Sequence, residues 1–109
     1  MPLVTFDDRD VEFEISSGIN SIKLGSVLIQ WGTETASANA NTHVNFRNTY
    51  TNAPLVYLTI EGVSRGVDLR TPQVVSTSTT GFDFFVSARN ASSNYYSGSS
   101  VAWFAIGTV

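Results

Sequence analysis

The 109-residue chain contains no cysteine, a single histidine (His43), a single lysine and no apolar run long enough to cross a membrane. Without cysteine it can form neither disulfides nor thiolate metal sites, and one histidine is too few for most metal sites within one chain. Its six basic residues are scattered, so no basic stripe is present to neutralise phosphates. We therefore expect no metal, no other cofactor, no nucleic-acid partner and no membrane insertion.

Groups that could catalyse a reaction are also scarce. Outside the acidic first 14 residues the only carboxylates are Glu34, Glu61, Asp68 and Asp83, which lie near predicted turns and form no obvious pair for glycoside hydrolysis. His43 alternates with apolar neighbours and falls on the polar side of its predicted strand, which favours a surface or interface position over a catalytic base. An ion held by three copies of His43 on a three-fold axis is a less favoured alternative. The sequence predicts no enzymatic activity.

Apolar and polar residues alternate with a period of two through much of the chain, as in half-buried β-strands. This pattern places Val27, Ile29 and Trp31 on the apolar side of one strand, opposite Leu28 and Gln30. The same alternation appears at residues 11–15 and 44–46, and no segment has the 3.6-residue period of an amphipathic helix. The sequence therefore predicts a small all-β fold of antiparallel strands.

Two segments, residues 55–60 and 101–106, are apolar at nearly every position. We expect the first to be a central strand, covered on both faces by a second sheet or a neighbouring subunit, and the second to be the closing strand inside the fold. The aromatic residues expected in the core are Trp31, Phe82, Phe84 and Trp103. Gly81 is expected in a tight turn, where it would supply a positive φ.

Three segments carry a resemblance to known proteins: Ile29-Gln30-Trp31-Gly32, the stretch STTGFDF at residues 78–84, and WFAIG at residues 103–107. In order and spacing they resemble the C-terminal head domain of bacteriophage tail fibres and, more distantly, the H-type lectins of invertebrates. The resemblance covers about residues 27–107. It implies an H-type lectin-like β-sandwich that forms a homotrimer at the tip of a virion tail fibre.

The first 25 residues differ from the rest of the chain. Residues 1–14 contain five acidic residues and one arginine, whereas the remainder is close to neutral. By the resemblance, residues 1–25 would be the neck or the end of the fibre shaft, and residues 26–109 the head domain. A further hairpin of the sandwich is an equally favoured interpretation of residues 1–25.

Candidate ligand-binding residues lie in the segment 89–98, which is rich in Asn, Ser and Tyr. Sugars are bound by aromatic rings against their C–H faces and by planar polar groups that fix the hydroxyls. These are the groups offered by Arg89, Asn90, Tyr95 and Tyr96, and such side chains are common in adaptable recognition loops. A solvated turn is the alternative for this segment.

The lectin resemblance adds Arg70, because an arginine in a Leu-Arg pair contacts the sugar in those lectins and Leu69-Arg70 lies one residue short of the matching position. The lectins' aromatic-histidine pair is replaced here by Arg89 and Asn90, so Tyr95 or Tyr96 would have to supply the stacking ring. The resemblance thus implies a fibre tip that attaches, without catalysis, to a bacterial surface receptor such as a glycan. The alternative is a structural trimerisation and folding cap that binds no receptor.

Overall fold

The computed structural model of the chain describes residues 11–14, 18–37, 40–61, 69–89 and 100–109, with the backbone alone for residues 11–14, 69–70 and 88–89. These residues form eight β-strands, and none of them is helical. The strands are β1 (Val11–Glu14), β2 (Asn20–Leu24), β3 (Val27–Thr35), β4 (Thr42–Asn45), β5 (Leu55–Glu61), β6 (Leu69–Thr77), β7 (Gly81–Arg89) and β8 (Ser100–Thr108).

The strands form two sheets in which every neighbouring pair is antiparallel. The larger sheet has the order β1-β2-β3-β8-β5 and the smaller one the order β4-β7-β6. The predicted all-β antiparallel sandwich is therefore confirmed. The closing strand β8 lies between β3 and β5, as expected for an apolar segment inside the fold.

The core lies between the two sheets and is dominated by aromatic rings. Phe82, Phe84 and Trp103 are 1%, 0% and 3% exposed, which confirms three of the four predicted core aromatics. The rings of Phe82 and Trp103 meet edge to face, with their centroids 5.3 Å apart. Edge-to-face contacts of this kind add to the free energy of apolar burial, so this cluster is the main attachment between the sheets.

The predicted orientation of β3 is wrong. Gln30 is fully buried and Leu28 nearly so, whereas Trp31 is only half-buried on the outer face of the larger sheet. The Gln30 amide can enter the core because Nε2 donates to the carbonyl oxygen of Asn48 and Oε1 accepts from the Asn48 N–H, both at 3.0 Å. A buried amide with both ends hydrogen-bonded avoids most of the cost of desolvation, which the apolar pattern alone does not reveal.

The predicted central position of residues 55–60 is also wrong, because β5 is an edge strand of the larger sheet. Its inward residues Val56, Leu58 and Ile60 pack against the core. The alternate residues point outward, and Leu55 and Tyr57 are 63% and 50% exposed. Both faces of β5 are apolar, but within the chain only one of them is covered.

The connections define two ends of the sandwich. At the turn end, β2 and β3 are joined by Gly25 and Ser26, and Gly25 has a φ of 60°, as two-residue hairpin turns often require. The segment between β4 and β5 joins the sheets at this end, since the N–H of Tyr50 donates to Thr79 O (3.0 Å) and that of Thr51 to Thr108 O (2.8 Å).

Gly81 does not have the predicted positive φ: among the described glycines only Gly25 has one. Instead Gly81 begins β7 and is paired with Asn45. Glycine is needed there because a Cβ would overlap the carbonyl oxygen of Val44 and press on the ring of His43.

The hairpin of β1 and β2 extends the larger sheet beyond β3. All five residues of β2 pair with β3, and all four residues of β1 pair with β2. The division between a neck (residues 1–25) and a head (residues 26–109) stays a prediction. Strand β2 lies on one side of this division and is hydrogen-bonded to β3 on the other.

Candidate functional site

Three connections converge at the end of the sandwich opposite the turn end, which we call the loop end. Thr35 and Glu61 both pair with Ser100. The ends of β3 and β5 therefore lie beside the start of β8. Leu69 pairs with Arg89, which places the start of β6 beside the end of β7. The described strand ends that flank segments 62–68 and 90–99 therefore lie at the loop end, as does the end of β3, from which segment 36–41 leads to β4. Binding residues are often carried on loops positioned in this way.

The structure places the backbone of two of the five sequence-predicted site residues, Arg70 and Arg89, near this end. The backbone of Arg70 pairs with Ala88 and that of Arg89 with Leu69, so the two arginines lie on neighbouring strands within the last pairs of the β6–β7 ladder. Their side chains are outside the described part of the chain. Asn90, Tyr95 and Tyr96 also lie outside the described residues, in the segment that joins Arg89 to Ser100. Their assignment as ligand-binding residues stays a prediction.

The chain enters the sheet from the other end. Val11 pairs with Leu24, which pairs with Val27, and Val27 pairs with Thr108 beside the β2–β3 turn. The first described residue therefore lies at the level of the turn end.

A polar cluster lies on the outer face of the smaller sheet. His43 Nδ1 is 2.7 Å from Asp83 Oδ1, and its Nε2 is 2.8 Å from Asn45 Oδ1. Ser76 Oγ donates to the other carboxylate oxygen of Asp83 at 3.1 Å. His43 thus lies on the exposed, polar side of β4, as the alternation predicts, and Val44 lies inside.

The surroundings shift the pKa values of both ionisable groups in this cluster. The hydrogen bonds to Asp83 and then to Asn45 raise the pKa of His43 above 6.5, and the hydrogen bond from His43 lowers the pKa of Asp83 below 3.8. Both of the ring's partners are oxygen acceptors, so only the doubly protonated ring can donate to both at once. The cluster therefore favours an imidazolium paired with a carboxylate.

This arrangement does not form a nucleophile and its base. The carboxylate of Asp83 lies between the serine and the histidine, so the Ser76 hydroxyl donates to Asp83 and not to the ring that would have to remove its proton. Both ring nitrogens of His43 are engaged, and no group of three His, Cys, Asp or Glu within the described residues could hold a metal ion. The cluster's chemistry is that of an exposed ion pair.

The outer face of the larger sheet carries a second feature, a row of three aromatic residues. Trp31 pairs with Phe104 across β3 and β8, and Phe104 pairs with Tyr57 across β8 and β5. The rings of Tyr57 and Phe104 stack, with centroids 4.8 Å apart and an angle of 19° between their planes. Beside them lies a groove of about 460 Å³, formed by Ile29, Trp31 and residues 57–59 and 102–104.

Sequence reasoning missed both features because each needs knowledge of strand pairing. The aromatic row combines residues from three strands separated by up to 73 positions, and the polar cluster joins β4, β6 and β7. One local signal existed for the row, because Leu55, Tyr57 and Thr59 alternate with Val56, Leu58 and Ile60. This double apolar pattern is typical of a strand with two apolar faces.

No helix in the described part of the chain is long and apolar enough to span a membrane.

Several solved tail fibre structures share this fold. An N-truncated R2-type pyocin tail fibre has a TM-score of 0.69 and 18% identity over 89% of this chain and 37% of its own. A C-terminal portion of a P. aeruginosa R2 pyocin fibre has a TM-score of 0.68 and 19% identity, over 89% of this chain and 25% of its own. An N-truncated R1-type pyocin tail fibre has a TM-score of 0.64 and 19% identity, over 89% of this chain and 84% of its own.

At such low identity these matches establish the fold, and the chain spans well under half of either R2 fibre. None of the curated proteins matches the chain. The family assignment comes from the sequence, since residues 23–108 match the gp53-like C-terminal domain of tail fibre proteins, a region that begins within β2 and ends with β8. The chain therefore belongs to the gp53-like family of tail fibre C-terminal domains, and its place is in a virion tail fibre.

Proposed function

We propose that this domain is the receptor-binding tip of the fibre and that its loop end attaches, without catalysis, to a glycan on the bacterial surface. The observation that carries this proposal is the convergence of three connecting segments at the end of the sandwich opposite the entry of the chain. A surface at that end would face away from the rest of the fibre. The five predicted binding residues belong to the strand ends and the segment at this end.

The chemistry of the segment 89–98 fits a sugar ligand. Its tyrosines, asparagines and arginine would supply stacking rings and planar hydrogen-bonding groups, whereas the described part of the chain contains no catalytic pair. A single site of this kind needs only a dissociation constant of about 1 mM, because several sites on one fibre bind together with a high effective concentration. We propose a homotrimer as the form that provides these sites.

Glycan binding by the purified chain tests the proposal. Wild type, Arg70→Ala and Tyr95→Ala would be applied to an array of bacterial surface oligosaccharides and to immobilised host polysaccharide. We expect binding by the wild type and a loss of at least about tenfold in each variant, which corresponds to about 1.4 kcal/mol. Arg47→Ala is the matched control, because Arg47 is an exposed arginine that follows β4 near the turn end.

The outcomes separate receptor binding from other roles. Equal losses in Arg70→Ala and Arg47→Ala would contradict a site at the loop end. Release of reducing ends from the host polysaccharide would contradict non-catalytic attachment. If the oligomeric chain binds no surface sugar and no host cell, the receptor-binding proposal fails.

A structural cap that trimerises the fibre is the second candidate function. The observation that favours it is the apolar outer face of the larger sheet, where Leu55, Tyr57 and Phe104 remain between 43% and 63% exposed within one chain. A cap needs such a face but needs no particular residue at the loop end. Normal fibre assembly combined with no host attachment would support the cap alone.

A further inference from the structure

We infer that the outer face of the five-stranded sheet, centred on Trp31, Tyr57 and Phe104, is the surface through which this chain packs against other copies of itself. This inference rests on the proposed homotrimer and specifies which surface forms it. The first argument comes from the rows of side chains that run across the sheet.

Neighbouring rows on this face are apolar across several strands. One row contains Ile22, Ile29, Ile106 and Leu55, and the next contains Trp31, Phe104 and Tyr57, with Asn20 at its β2 end. A third row contains Leu24 and Val27, with Thr108 on β8, and a fourth contains Thr33, Ala102 and Thr59. No Asp, Glu, Lys or Arg of the described residues occupies these rows. The charged residue nearest to them on this face is Glu61, which pairs with Ser100 at the loop end.

The first hairpin supplies a second argument. Ile22 and Leu24 of β2 pair with Ile29 and Val27 and lie on the outer face, whereas Ser21 and Lys23 lie on the inner face. The register of β1 matches Val11 with Leu24 and Phe13 with Ile22. A strand that served only the core within one chain would have the opposite alternation, with its apolar residues on the inner face. The pattern of β2 therefore specifies burial of the outer face.

The smaller sheet has a different outer face. Its outward positions include His43, Asn45, Asp83 and Gln73, which form the exposed polar cluster or face solvent, and Phe85, which pairs with Gln73 and is half-buried. Polar and charged residues thus predominate on this outer face, whereas apolar residues predominate on the outer face of the larger sheet. This contrast within one small domain is typical of a subunit with one buried interface.

The size of the face fits a second copy of the chain. Five strands at a spacing of ~4.8 Å, with about six residues of each at ~3.4 Å, give a projected area of roughly 500 Å². Two such faces in contact would bury roughly 1,000 Å² in projection, about the minimum expected of a specific interface between two proteins.

A sugar is a poor occupant of this face. Within the described residues, the groove beside Tyr57 and Phe104 is lined by aromatic and aliphatic side chains and by the hydroxyl groups of Tyr57 and Thr59. None of these lining residues has a carboxylate, amide or guanidinium side chain to fix sugar hydroxyls. Around a three-fold axis each subunit contacts both of its neighbours, so three copies of this face turned towards the axis would cover one another.

The absence of cysteine allows a direct test on the whole chain, since single-cysteine variants can be labelled with a bulky maleimide at one known position. Thr59→Cys and Phe104→Cys place a thiol on the inferred interface, and Thr59→Cys is close in size to the native residue. Gln73→Cys is the matched control, because Gln73 is an exposed strand residue on the outer face of the other sheet. Native mass and labelling rate are measured together, with labelling in urea as the reference.

We expect an oligomeric mass for all three variants. Thiols at positions 59 and 104 should label at least about tenfold more slowly than the thiol at position 73, because reaction requires dissociation or local opening. An oligomer in which Thr59→Cys labels as fast as Gln73→Cys would overturn this interface while leaving the oligomer intact. A monomeric mass for the wild type would overturn the homotrimer itself. Glycan binding by the loop end is measured in the separate array experiment, so failure of the interface and failure of receptor binding can be distinguished.

Discussion

Replacing Gln30 with glutamate probes the inward orientation of β3, which the apolar pattern of the sequence contradicts. The substitution keeps the size of the side chain but removes the donor that bonds to the carbonyl oxygen of Asn48. At neutral pH it places a carboxylate in a fully buried position and 3.0 Å from that oxygen. The second carboxylate oxygen can still accept from the Asn48 N–H.

The expected loss of stability follows from the pKa of the new carboxyl group. Complete burial raises a carboxyl pKa by up to about 3–5 units, and the retained hydrogen bond from Asn48 offsets part of this, which leaves about 2–3 units. At 1.36 kcal/mol per unit, the variant should lose about 3–4 kcal/mol of unfolding free energy at pH 7.5. Because the folded-state pKa is raised, this loss is nearly absent at pH 4.0, where both states are protonated, and grows as the pH rises towards the folded value.

Urea unfolding at pH 4.0 and pH 7.5, at one protein concentration, measures the effect on either side of the isoelectric point of about 4.8. The chain's other glutamine provides the control, because Gln73 is exposed and Gln73→Glu should change stability by less than about 0.5 kcal/mol at both pH values. If Gln30→Glu loses no more stability at pH 7.5 than at pH 4.0, or no more than the control, the inward placement of Gln30 is wrong.

Three further predictions concern the core, the polar cluster and a glycine. Trp103→Ala should lower the unfolding free energy by about 3–5 kcal/mol in urea titrations, and a loss below about 1 kcal/mol would contradict its burial. His43→Ala should reduce the melting temperature at pH 5.5 more than at pH 9. Because the pKa of His43 is raised in the folded state, its pair with Asp83 stabilises the fold fully below pH ~6.5 and no longer does so above the folded-state pKa of His43. Equal shifts in melting temperature at the two pH values would contradict this. Gly81→Ala should lower the unfolding free energy by about 1–3 kcal/mol, because the added Cβ would meet the Val44 carbonyl oxygen. Gly18→Ala is the control, because a Cβ there meets no described atom within 4 Å, and equal melting temperatures for the two variants would refute the prediction.

The sequence predicted much of the fold because strand alternation is a local signal. The absence of a helical period indicated an all-β chain, and the buried aromatics at positions 82, 84 and 103 follow from their alternation within β7 and β8. The assignment of the ligand-binding residues to segment 89–98, made from its composition, stays a prediction.

What the sequence could not predict depends on pairing between distant segments. For β3, the apolar side by composition is the outer side, because the Gln30 amide finds both of its partners at Asn48, 18 residues away. For β5, the continuous apolar run indicated two covered faces, but it does not say whether the cover belongs to the same chain. Only the order of the strands shows that β5 is at the edge and that β8 takes the inner position.

The insertion of β8 between β3 and β5 has a consequence for biosynthesis. Within the larger sheet, β3 and β5 have no common neighbour until residues 100–108 have left the ribosome, because β8 is the last of the eight strands in sequence order. Closure of this sheet therefore waits for the synthesis of residues 100–108. A product that stops short of β8 lacks Phe104 and Ile106 from its outer face and leaves two open strand edges, so it should be degraded or aggregate before it joins a fibre.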